Sequence, residues 1–215
     1  MIEGPTLVAE ALAAGVDVED VFVDEERAGA FVGEVLVRAG VLARVGSTET
    51  PQPVLAVARM RPASVADLAG ATFVLVAAGV ADPGNLGTML RSAEAAGADA
   101  LVTTAGSVDP WNPKCVRASA GALFHVRVVV DASPADLRAL GLPLVGTAAT
   151  GGQPYGQPGA LARPLALVLG SEAHGVPADL PLDRLVTIPH VGRSESLNVA
   201  MAAAVLCFET ARQSG

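Results

Sequence analysis

Three short stretches of this chain carry reactive or hydrogen-bonding side chains in a sequence otherwise dominated by alanine, valine, leucine and glycine. They are residues 85–91 (NLGTMLR), 169–175 (LGSEAHG) and 188–198 (IPHVGRSESLN). Together they offer the amides of Asn85 and Asn198, the guanidinium of Arg91, the carboxylate of Glu172 and the hydroxyl of Ser196. Each stretch joins a predicted strand to a predicted helix, and a buried α/β core has no use for such groups. Open α/β sheets bind ligands at the carboxyl ends of their strands, so the three junctions are expected to meet in one polar site. The strand ends Gly146-Thr147, Gly170-Ser171 and Ile188-Pro189 add backbone N–H and C=O groups of the kind an adenine-like ring pairs with. Glycine at a strand end, taken alone, marks only a tight turn. Two familiar nucleotide designs are excluded: no strand is followed by G-x-G-x-x-G, and residues 170–175 lack the Lys-Ser/Thr of a phosphate loop.

Each of these residues also has an ordinary structural use. Asn85 sits where it would cap a helix, with Arg91 about 9 Å further along the axis, where it is either a site residue or a solvated helix arginine. Glu172 is a loop carboxylate, a helix-start charge or an orienting partner for Asn85 or Arg91. Ser194 or Ser196 would cap the last helix, with Asn198 in that helix's first turn beside an apolar run. Lys114 and Arg117 either bind phosphates or supply a wet helix face, and His174 is a proton carrier or a plain loop residue.

The elements that would position these groups follow from hydrophobic period and turn residues. Residues 1–61 read as a small α/β unit: helix 8–14, strand 21–23, helix 28–39 and strand 54–57. Arg61-Pro62 and Gly70 mark a linker over 62–71. Residues 72–215 then alternate: strand 73–77, helix 86–96, strand 100–103, helical turns 113–120, strand 126–130, helix 134–140, strands 144–147, 165–169 and 186–188, and helix 197–211. Short, continuously apolar strands between helices imply a parallel sheet covered on both faces. The last helix has no charged side chain between Glu195 and Glu209. It is therefore expected to be buried on all sides, either by a second copy of the chain or within its own domain.

Composition bounds the function. The chain has 215 residues, is 51% hydrophobic and 17% charged, and contains no apolar run long enough to span a membrane. No basic segment followed by an apolar one opens the sequence, so no signal peptide is expected. The two cysteines, Cys115 and Cys207, and three scattered histidines form no ligand set, so reduced thiols in a cytoplasm and no metal are expected. Net charge is −8, and only Lys114 and thirteen arginines are basic. Such a field repels phosphate backbones at long range, so an RNA partner requires local arginines to overcome the global sign.

The stretches NLGTMLRSA, LVLGSEAHG and IPHVGRSESLNVA resemble the three ordered motifs of SpoU/TrmH-type RNA ribose 2′-O-methyltransferases of the SPOUT superfamily. Residues 109–123 (DPWNPKCVRASAGAL) are similar to the family's segment between its first and second motifs. The resemblance covers roughly residues 72–212. Glu3-Gly4 and residues 53–57 more loosely resemble a small ribosomal-protein-like RNA-binding domain, here N-terminally short and with Pro53 where relatives carry glycine. The resemblance implies a parallel-sheet domain with a C-terminal trefoil knot, S-adenosylmethionine as methyl donor, and a homodimer. It implies a donor pocket of Thr147, Ala148, Leu169, Gly170, Ile188 and Leu197, and a catalytic set of Asn85, Arg91, Glu172, Ser196 and Asn198. Lys114 and Arg117 would face RNA. Arg91 is then either the proton acceptor for the ribose hydroxyl or a clamp on the target's phosphate. A guanidinium, with a pKa above ~12, is a poor proton acceptor unless strongly perturbed, so the clamp stands at least level with the acceptor role. The substrate is ribosomal RNA or, alternatively, transfer RNA; a non-catalytic RNA- or ligand-binding member of the superfamily is the competing reading.

Overall fold

A computed structural model describes residues 1–47, 50–193 and 196–215. The first unit contains β1 (Ile2–Glu3), α1 (Pro5–Ala13), β2 (Val18–Asp24), β3 (Val35–Val37), α2 (Leu42–Val45) and β4 (Val54–Ala58). Its sheet runs β1-β4-β2-β3, with β4 antiparallel to both neighbours. Val8 and Ala11 of α1 pack on Ile2, Val21, Val23, Val54 and Ala56, a small apolar core in its own right.

The helix expected over 28–39 is not there. A single 3-10 turn (Glu25–Arg27) and strand β3 replace it. Gly29 and Gly33 take φ of +88° and +75°, which end a right-handed helix. The Glu34 carboxylate meanwhile accepts the backbone N–H of Gly29 and Phe31, offering those amides an alternative to helical bonding.

The second unit contains β5 (Phe73–Ala78), α3 (Pro83–Ala95), β6 (Ala100–Thr104), α4 (Pro113–Ala118), β7 (Arg127–Ala132) and α5 (Pro134–Ala139). It continues with β8 (Leu144–Thr147), β9 (Gln153–Pro154), β10 (Leu165–Gly170), β11 (Arg184–Thr187) and α6 (Val199–Ser214). The seven strands pair in parallel in the order β7-β6-β5-β10-β8-β11-β9. Alternate residues of the central strands enter two separate apolar layers: Phe73, Leu75, Leu165, Leu167 and Leu169 on the α3/α6 side, and Val74, Val76, Ala166 and Val168 on the α5 side. This is the doubly covered sheet that the continuous apolar strands imply. The direction of strand addition reverses between β5 and β10, and registers Gly170↔Ala78, Val168↔Gly146 and Val186↔Thr147 bring the carboxyl ends of β10, β8 and β11 side by side.

The segment between the units is packed down. Ala63 N–H donates to the Val128 carbonyl of edge strand β7, and Leu68, in a 3-10 turn capped by Ser64 and Asp67, is buried. Burial pushes the Cys115 and Cys207 thiols up to about 12, so neither supplies a thiolate at neutral pH. Helix α6 is not packed wholly inside its own domain: Val199, Ala200, Ala203, Leu206 and Cys207 are buried, whereas Met201 and Phe208 are 62% and 55% exposed in the single chain. No helix of the described residues is long and apolar enough to cross a membrane.

Candidate active site

The polar stretches meet at the N-termini of two helices. Helix α3 begins earlier than its apolar period indicates, because Asp82 caps it by accepting the Asn85 backbone N–H at 2.8 Å, with Pro83 at the first turn. Asn85 is therefore inside the first turn rather than the cap, and its side chain is released for other bonds. The Asn85 N–H bond first, and the Lys114 ammonium 3.6 Å away second, hold the Asp82 carboxyl below the usual carboxylate range.

Helix α6 is capped by Asn198, not by Ser196; Ser194, the other expected cap, lies outside the described residues. Asn198 Oδ1 accepts the N–H groups of Ala200 and Met201 at 3.1 and 3.2 Å. Those two donors fix the amide's orientation, so Nδ2 points away from α6 and donates to Asn85 Oδ1 at 3.0 Å and Glu172 Oε1 at 2.7 Å. Glu172 Oε1 also accepts Asn85 Nδ2 at 3.0 Å and Val199 N–H at 3.2 Å. One carboxylate oxygen thus joins all three stretches, at a helix N-terminus where the dipole favours negative charge.

Glu172 is carried on a tight loop after β10. Gly175 N–H donates to Ser171 O at 2.8 Å and His174 N–H to Ser171 Oγ. A Cβ on Gly170 would lie 1.9 Å from the Gly175 carbonyl carbon, so no other residue fits there. Gly175 itself has φ +67°, the left-handed conformation that closes the loop.

Beside this hub lies an open cleft of about 230 Å³. All of Thr147, Ala148, Leu169, Gly170, Ile188 and Leu197 line it, together with Glu172 and Ser196. Val199, Ala202 and Leu206 of α6 and Val186 line it too, and sequence reading did not single these out; His190, from the third polar stretch, also lines it. Leu206 and Val186 look like ordinary core residues in the sequence, and only the meeting of β11 with α6 turns them toward a cavity. A larger cleft of about 640 Å³ lies between the two units, walled by Leu12, Trp111, Phe124 and Arg127, but none of the three polar stretches reaches it. The smaller cleft is where the chemistry-bearing groups are.

Arg91 does not line the cleft; it is exposed on α3 and has no hydrogen-bond or ion-pair partner among the described residues. Arg117, partly exposed, reaches across to the small sheet: its Nη1 donates to Glu3 Oε2 at 2.7 Å and to Ser47 Oγ. His174 is exposed in the loop and outside the cleft lining.

Comparison with known proteins adds what geometry alone does not. Residues 72–208 match the family described as SpoU rRNA Methylase. The chain is 39% identical over 218 residues to 23S rRNA (guanosine(2553)-2'-O)-methyltransferase RlmP of Bacillus subtilis, covering 97% of this chain and 86% of that protein. The solved structure of an AdoMet-bound rRNA methyltransferase from Sinorhizobium meliloti superposes with a TM-score of 0.86 at 29% identity, over 98% of this chain and 85% of that one. The SpoU methyltransferase AviRb from Streptomyces viridochromogenes, in complex with AdoMet, gives a TM-score of 0.86 at 29% identity, over 98% and 88%.

Proposed function

We infer, from the premise that this chain belongs to the SpoU rRNA Methylase family, that it transfers a methyl group from S-adenosylmethionine to a ribose 2′-hydroxyl of ribosomal RNA. The observation that carries this reading is the single cleft where glycine-bearing strand ends and apolar side chains meet the Asn85–Glu172–Asn198 hub. Its donor set fits the cofactor. Leu169, Ile188, Leu197 and Leu206 offer apolar walls to an adenine ring, with the strand end 147–149 bordering the same cleft. When bound there, the donor supplies a methyl carbon on a sulfonium, which needs only a positioned nucleophile.

The residues then divide the work. Glu172 accepts three N–H bonds on Oε1, which suits it to hold Asn85 and Asn198 in place rather than to take a proton. Arg91, exposed and without a partner among the described residues, clamps the target's phosphate and so sets the hydroxyl in line. Ser196, at the cleft wall, and Lys114, beside the start of α3, complete the RNA-facing side.

Three larger features belong to the same reading. A second copy covers the exposed apolar face of α6, and the cleft draws on both subunits. The insertion of β8 between β10 and β11 supports a trefoil knot in the C-terminal segment. Residues 1–61 act as an RNA-binding domain in a cytoplasmic enzyme: Glu25 and Glu34 turn their carboxylates onto backbone amides, while Arg27, Arg38 and Arg44 are exposed without ion-pair partners among the described residues.

The test is incubation with methyl-labelled donor and total RNA, followed by mapping of alkali-resistant linkages. Label at a single ribose of 23S rRNA is expected. Label in transfer RNA would redirect the substrate assignment. Calorimetric donor binding with no transfer to any RNA would leave a non-catalytic binding protein.

A further inference from the structure

Residues 117–125 (RASAGALFH), the end of α4 and the turns that follow it, overlap the stretch 109–123 that the sequence singles out, yet they line no part of the cleft. They face the small unit instead. Arg117 Nη1 donates to Glu3 Oε2 at 2.7 Å, and Glu3, with 3% side-chain exposure, also accepts Ser47 N–H at 2.6 Å and Ser47 Oγ–H at 2.8 Å. A Cβ at position 46 would lie 2.6 Å from Glu3 Oε1, so a side chain there would press on that carboxylate. Gly121, at φ +96°, comes so close to α1 that a Cβ would lie 2.9 Å from Glu10 Cγ. His125 Nε2 is 2.8 Å from Glu10 Oε1, and Phe124 packs against the small core.

On its other side α4 is seated tightly on the helix of the active site. A Cβ on Gly87 would lie 2.5 Å from Ala118 Cβ and 2.7 Å from the Cys115 carbonyl oxygen. Gly87 is two residues from Asn85, and Arg91 follows one turn later on the face of α3 that Gly87 occupies. A short path therefore runs from the buried carboxylate of β1, through Arg117 and Ala118, to the helix that carries Asn85 and Arg91.

We propose that Glu3 and Arg117 are a positioning pair: through the 117–125 segment they fix the small unit against α3, so that RNA held by that unit meets Arg91 in one register. The proposal rests on the reading of residues 1–61 as an RNA-binding domain. A buried carboxylate with one guanidinium partner is well suited to this, because loss of either member leaves the other uncompensated and the two surfaces part. A planar guanidinium, here with Nη1 donating to both Glu3 Oε2 and Ser47 Oγ, also sets direction, which a point charge does less well.

The full-length Arg117→Ala and Arg117→Lys proteins test this by hydrogen exchange, donor calorimetry and steady-state kinetics with an rRNA fragment. For Arg117→Ala, faster exchange in β1 and α1, donor affinity within about threefold, and RNA KM raised about tenfold with kcat changed by less than about threefold are expected. Arg117→Lys should restore part of the KM. Glu3→Gln, the milder change on the buried side, should shift KM in the same direction. Unchanged exchange in β1 and α1, or an unchanged RNA KM despite faster exchange, overturns the proposal. An Arg27→Ala/Arg38→Ala/Arg44→Ala protein separates it from its premise. If RNA KM rises in that triple variant but not in Arg117→Ala, the small unit binds RNA and the positioning pair fails. If it rises in neither, the RNA-binding reading fails as well.

Discussion

Asn198 carries two jobs in one amide. Its oxygen holds the first two N–H groups of α6, and its nitrogen ties Glu172 and Asn85 together. Asn198→Ala removes a helix cap, costing about 1 kcal/mol, and leaves Glu172 Oε1 and Asn85 Oδ1 each short of a donor, at about 1–3 kcal/mol more where they are shielded from water. A lowered melting temperature, an oligomeric state unchanged from the parent and methyl transfer reduced at least about tenfold are expected; full turnover in the alanine variant would remove Asn198 from the site. Arg91 is the opposite case, because no bond among the described residues depends on it. Arg91→Ala should leave the melting temperature and the donor affinity within a few fold of the parent while abolishing transfer. Calorimetry showing lost donor binding would contradict its role as an RNA-side clamp.

Among the elements, α3 has the least room to move. A methyl at position 87 adds helix propensity of up to ~1 kcal/mol, but it would overlap Ala118 Cβ and a backbone carbonyl of α4. Overpacking against backbone costs about 1–3 kcal/mol, so Gly87→Ala should lower the melting temperature by several degrees and reduce transfer by displacing Asn85; a neutral or raised melting point would show that α3 and α4 part easily. The legibility of the sequence follows the same logic of local against tertiary causes. The apolar runs of β5, β6, β8 and β10 are readable because a strand buried on both faces has no alternative composition. The start of α3 was misread because Leu86 opens the apolar period while Asp82 and Pro83 carry the cap. The helix expected over 28–39 failed because Glu34 and two glycines outweigh its apolar residues. In the site, the polar residues at strand-to-helix junctions are legible, but Leu206 and Val186 are not, since what they line is set by how β11 and α6 pack. Arg117 showed a charge without its partner, because Glu3 lies 114 residues away in sequence.

At the scale of the whole molecule, two facts constrain how the chain can act. The net charge of −8 opposes approach to RNA, and the cleft of about 230 Å³ is smaller than the ~300–1,000 Å³ of most self-contained small-molecule sites. The proposed pairing would answer the second; it would double the net charge as well, so the first has to be met locally, by exposed arginines such as Arg27, Arg38, Arg44 and Arg91. The surface for pairing is α6: Met201, Val205 and Phe208 recur at helical spacing on its outer face, at 62%, 39% and 55% exposure, and Leu197 at the cleft edge is 38% exposed. An isologous contact of two such faces would bury these side chains together and bring each cleft against its partner. Because Phe208 points outward, Phe208→Asp leaves the monomer's core untouched while placing a charge at the centre of the contact, where it has no compensating partner. Sedimentation should then report a monomer with an unchanged circular dichroism spectrum, weaker donor binding and no methyl transfer. A Phe208→Asp protein that stays dimeric and active would move the subunit contact away from α6. A monomer that still methylates RNA at the parent rate would show that one chain's cleft is sufficient.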